Sequence, residues 1–137
     1  MKQSYIGLAM GVLVMAAFLA LPSCGFDRKL VSITINPPGA SIVGPGVVVN
    51  FQAIGNYIHP EDSRDITDSV VWTSAAPQVI DIVPNSNPGV FQSGTACGTN
   101  ITVTATWYSN PQTQTGSVVV GTAAVDVTPI PTQPPTC

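Results

Sequence analysis

The sequence predicts an all-β protein, an antiparallel sandwich of about seven short strands. Three observations predict it. Valine and threonine recur in short alternating runs. Those runs are separated by turns drawn from 13 prolines and 12 glycines. Past the first two dozen residues, no apolar pattern recurs at i, i+3, i+4 and i+7. Alternation is the period of a half-buried strand. β-branched side chains suit a pleated surface, and Pro and Gly close such runs.

A chain of 137 residues suggests one domain once any leader is set aside. Charge is sparse, with 4 Lys+Arg against 7 Asp+Glu. Arg28 and Lys29 are adjacent and Arg64 stands alone, too little positive charge to bind nucleic acid through its phosphates.

Residues 1–23 read as an address. Met1-Lys2-Gln3-Ser4 is weakly positive, and Ile6 to Leu21 is an uncharged apolar run of 16 residues. That order, with small residues at its exit, is a secretory signal, and the run is short for a membrane span. Leu21-Pro22-Ser23-Cys24 resembles the bacterial lipobox, with Pro22 where a small or β-branched residue is usual. The resemblance implies that Cys24 becomes the mature N-terminus and carries lipid. Ordinary cleavage, leaving Cys24 a thiol, is the alternative. Gly25, where an Asp favours inner-membrane retention, resembles an outer-membrane lipoprotein.

Residues 24–29 form a short linker. In Leu30 to Ile35, Val31, Ile33 and Ile35 share a face until Pro37-Pro38-Gly39 ends the run. In Val47 to Ile54, Val49, Phe51 and Ala53 continue the face begun by Val47. His59 to Ser69 is a polar, acidic loop. Val70 to Ser74 is a third strand, with Val70 and Trp72 inward, and Val79 to Val83 is a fourth. Gly89 to Phe91 is a short fifth. Ile101, Val103, Ala105 and Trp107 alternate with threonines in the sixth, and Gly116 to Val120, extending toward Val127, is the seventh. The span 30–127 matches the ~100 residues of an immunoglobulin-like sandwich.

Here the chain resembles the bacterial Ig-like group 2 repeat. That family places a D-x-T-x-x-V-x-W-x-S signature before and within its third strand. The matching residues are Asp65-Ile66-Thr67-Asp68-Ser69-Val70-Val71-Trp72-Thr73-Ser74. Gly94-Thr95-Ala96 and Ile101-Thr102-Val103-Thr104-Ala105 match its G-T-A-x-I-T-A pattern, with Cys97 to Asn100 as a longer connection. The resemblance implies a structural or adhesive surface module.

With Cys24 taken by lipid, Cys97 and Cys137 remain as a disulfide pair, plausible in an exported protein. In such a sandwich the last strand ends beside the start of the sixth, where Cys97 lies. The Pro/Thr-rich tail 128–137 reaches ~33 Å when extended, enough to fold back. Two free thiols are the alternative.

Other candidates have bland alternatives. Asp62, Asp65 and Asp68, with His59 and Glu61, offer hard oxygen ligands to a metal. A solvated loop, with Asp65 and Thr67 bonding local backbone, is the stronger reading. Trp72 belongs in the core. Trp107 and Tyr108 are candidate ligand contacts. Asn100-Ile101-Thr102 matches a glycosylation sequon by accident. One histidine, no phosphate-cradling loop and no CxxC argue against an enzyme, and no cofactor is expected. The expectation is a lipid-anchored envelope protein, held to the membrane by its N-terminal lipid, with a protein or polysaccharide partner. An accessory subunit of a secretion or polysaccharide-export complex is the alternative.

Overall fold

The computed structural model describes residues 27–131. Its strands, in chain order, are β1 (Lys29–Asn36), β2 (Gly39–Val43), β3 (Val48–Asn50), β4 (Gln52–Ile58) and β5 (Asp62–Asp65), then β6 (Val71–Ser74), β7 (Ile80–Ile82), β8 (Val90–Ser93), β9 (Gly98–Asn110) and β10 (Thr115–Thr128). A single 3-10 turn, Thr67–Ser69, joins β5 to β6. Among the described residues no helix is long and apolar enough to cross a membrane.

The fold is an all-β sandwich. One layer is the four-stranded sheet β2-β10-β9-β6. Opposite it lie two three-stranded sheets, β1-β4-β5 and β3-β8-β7. Only Phe51 separates β3 from β4, so these two sheets share one nearly continuous strand. The Phe51 amide donates to the Gly89 carbonyl at 2.8 Å, continuing the β3–β8 pairing one residue further.

Alternate residues of both layers meet inside. Ile33 and Ile35 of β1 and Ala53 of β4 face Val103 and Ala105 of β9 and Val125 and Val127 of β10. Fully burying a side chain the size of Ile or Val contributes ~1.5–3 kcal/mol. At the centre, Trp72 from one layer meets Phe51 and Phe91 from the other. Its ring lies edge-on to Phe91 at 5.9 Å and tilted to Phe51 at 6.5 Å.

The ten strands exceed the expected seven for three physical reasons. First, Pro37-Pro38 ends β1 at Asn36 as expected, but an unexpected strand follows at once. The chain crosses to the other layer and resumes as β2, parallel to β10. A Cβ at Gly39 would lie 2.9 Å from the Ala124 carbonyl oxygen, so the approach there is close. Second, part of the polar loop is a strand. Asp62–Asp65 pairs antiparallel with β4 at the edge of its sheet. Neither alternation nor composition signals it, because an edge strand facing water on both sides has no apolar face. Charges there block pairing with another chain. Third, the strand expected over 47–54 divides at Phe51 and continues to Ile58, while Val47 is left exposed.

Val31 also departs from expectation. An irregularity between Leu30 and Ser32 shifts the β1 register against β4. Leu30 therefore enters the core, and Val31 turns outward at 46% exposure. A bulge inserts one residue and breaks the two-residue alternation.

Strand direction gives the molecule two ends. β1 enters from the N-terminal side and runs alongside β10, whose 14 residues span roughly 45 Å. One end, the base, holds the start of β1, the β4–β5 hairpin and the β9–β10 hairpin. The far end holds the β8–β9 connection with Cys97 and the exit from β10.

Candidate functional site

The stretch from Asp65 to Trp72 is a structural lock. Asp65 closes an Asx-type turn: its Oδ1 accepts from the Thr67 amide at 2.9 Å and the Thr67 hydroxyl at 2.6 Å. Its Oδ2 accepts from Gln52 Nε2 at 2.7 Å. Thr67 Oγ1 in turn accepts from the Ala53 amide at 2.9 Å. The Thr67 carbonyl accepts from Trp72 Nε1 at 3.1 Å. The connection between β5 and β6 is thereby tied to β4, and the indole is aimed inward. Trp72 is a core residue, as expected of it.

Hydrogen bonds from the Thr67 side chain, from Gln52 and from the Thr67 amide hold the Asp65 carboxyl below the usual carboxylate range. A lowered pKa means that the folded state prefers the charged form. The associated stability is present above the unfolded pKa of ~3.9 and is lost as pH falls through the folded value. Asp65→Asn is expected to be less stable than the parent near neutrality. The gap between the two should narrow on acidification below pH ~4. Parallel urea titrations across that range measure it. A gap independent of pH would remove the carboxylate from the lock.

The acidic residues do not converge. Asp62 Oδ2 accepts from Arg64 Nε at 2.6 Å, and this partner holds its carboxyl below the usual range. Asp65 is committed to Thr67 and Gln52. Asp68 is exposed in the 3-10 turn, while His59 and Glu61 sit exposed at the tip of the β4–β5 hairpin. Among the described residues, no three His, Cys, Asp or Glu side chains group as metal ligands.

Trp107 and Tyr108 do not form one platform. Neighbours on a strand point to opposite faces. Trp107 continues the inward row of Val103 and Ala105, packs against the core and is half-buried near the base. Tyr108 lies on the outer face, opposite Val118 of β10. Trp107 instead lines an open crevice of about 940 Å³ at the base. Leu30 and Val119 share its apolar part, and Asp27, Arg28, Lys29 and Val31 approach from the start of β1. Ser109 and Ser117 close the β10 side, where the Ser117 amide donates to Ser109 Oγ at 2.9 Å.

The crevice exists because β1 and β10 diverge. A Cβ at Gly121 would lie 2.8 Å from the Ile33 carbonyl oxygen, so the two strands touch at that level. Toward the base they separate. Sequence reasoning missed this site. Its visible signal was the adjacent pair Arg28 and Lys29 at the entry to a strand.

At the far end, Cys97 is exposed just before β9 and has a bonding partner. Cys24 and Cys137 lie outside the described residues. The neighbouring residues follow the expected adjacency, with Gly98 opposite Val127. Asn100 of the sequon is exposed, and its amide donates to Asp126 at 2.6 Å. No protein-family model and no curated protein matches this chain.

Proposed function

We propose that this chain is a lipid-anchored envelope protein. Its single immunoglobulin-like domain, of the bacterial Ig-like group 2 kind, serves as a structural or adhesive module. One observation carries the reading: a lipobox-like Leu21-Pro22-Ser23-Cys24 precedes, by only five residues, the first strand of a sandwich. A tether at Cys24 enters at the base, so the far end projects outward. The length of β10 places that end roughly 45 Å away. The far end exposes Val43, Val47, Val48 and Ile130 beside the carboxylates of Asp81 and Asp126, a mixed surface that suits a protein or polysaccharide partner. The Asp65, Thr67 and Trp72 lock supports the family reading, because it assigns a folding role to three of the five residues that carry the signature.

Expression of the full chain in a bacterium that processes lipoproteins tests the anchor. The mature protein is expected to begin at Cys24, to carry acyl mass and to fractionate with membranes. Two or more acyl chains hold a protein on a bilayer stably. Cys24→Ala should lose the acyl mass. An unmodified Cys24 in the parent protein would overturn the reading.

A further inference from the structure

We propose that the base crevice is a membrane-docking surface. Arg28 and Lys29 meet anionic headgroups, while Val31, Val118 and Trp107 enter the boundary between headgroups and acyl chains. This inference rests on Cys24 being the lipid-bearing N-terminus. Three observations carry it.

The first is reach. Asp27 lines the crevice and stands three residues after Cys24. Three residues extend to ~10 Å. The headgroup layer on one side of a bilayer is roughly 5–8 Å deep. A domain tied at Cys24 therefore holds its base at the interface, whatever its tilt.

The second is charge. Of the basic residues described, Arg64 is paired with Asp62 on the hairpin, and Arg28 and Lys29 are both at the crevice. Asp27 on the same rim offsets one of these two charges. Over the whole chain acidic residues outnumber basic ones, 7 to 4. The hairpin at the same end carries Glu61 and the neutral Asp62–Arg64 pair, so the attraction to an anionic surface is local to the crevice rim, where Arg28 and Lys29 outnumber Asp27.

The third is apolar surface. The bulge in β1 turns Val31 outward at 46% exposure, and Val118 stands 51% exposed on β10. Both reach the rim of the crevice that Trp107 lines from within, Val118 from the outer face it shares with Tyr108. In water these valines gain nothing from that placement. At a bilayer they bury apolar area, and a half-buried indole is a side chain that favours the interface.

The test uses the mature acylated protein, reconstituted into vesicles of phosphatidylglycerol and brominated phosphatidylcholine. The difference in emission between the parent protein and Trp107→Phe reports Trp107 alone. That emission is expected to be largely quenched by the brominated chains. Arg28→Gln with Lys29→Gln, or Val31→Asp with Val118→Asp, should restore it while the protein still floats with the vesicles. These positions are exposed, so the variants fold. Protein that floats with Trp107 unquenched overturns the docking surface and leaves the anchor standing. Protein that does not float overturns both.

Discussion

Replacing Trp72 with alanine is expected to destabilise the domain by about 3–5 kcal/mol, the range for truncating a buried aromatic. The ring is 6% exposed and meets aromatic partners from the opposite layer, Phe91 at 5.9 Å and Phe51 at 6.5 Å. Truncation leaves a cavity where the two layers join. It also removes the Nε1 hydrogen bond that closes the Thr67 lock. Trp72→Phe separates the two contributions. It retains a ring and loses the N–H donor, so the expected cost falls to about 1–2 kcal/mol. Urea denaturation followed by circular dichroism gives both values, provided that the slope with denaturant is unchanged. A cost for alanine under 1 kcal/mol would contradict the packing described.

The second large effect is expected at Cys97. We propose that it is bridged to Cys137, and strand geometry excludes Cys24. From Gly121 to Val127, which pairs with Gly98, is roughly 20 Å along β10, and from Ile33, beside Gly121, back to Lys29 is roughly 13 Å. Lys29 therefore lies about 30 Å from Gly98, whereas the five residues from Cys24 to Lys29 reach at most ~18 Å. Cys137 is nine residues beyond Thr128 and has ~30 Å of reach. A bridge over this span removes about 4 kcal/mol of chain entropy from the unfolded state. Cys97→Ser and Cys137→Ser should each lower stability by about that amount, and reductant should destabilise the parent protein alone. Intact mass under non-reducing conditions is expected to fall by ~2 Da on oxidation. An unchanged mass excludes the bridge.

The alternating strands were legible because each has one wet face and one dry face. Ile101, Val103, Ala105 and Trp107 announce β9 in this way, and Val49, Phe51 and Ala53 announce the β3–β4 strand. The Asp65 turn was legible because an Asx turn is local: the carboxylate and the amide it accepts from are two residues apart. Where the pattern failed, the cause was non-local. β5 owes its existence to the β4 edge rather than to its own residues, all polar. β2 is a strand because β10, about 85 residues later, runs parallel beside it.

The sequence by itself determined the all-β class, the inward row of β9, the central place of Trp72 and the turn chemistry at Asp65 and Thr67. Each of these depends on side-chain period or on contacts within a few residues. Tertiary structure alone decided which face Val31 takes, since the bulge arises from register with β4. It also separated Trp107 from Tyr108, one lining the crevice and the other on the outer face. The crevice itself exists only where β1 and β10, distant in sequence, touch at Gly121 and part toward the base. A space between two strands is a property of their packing, and no local pattern in either strand encodes it.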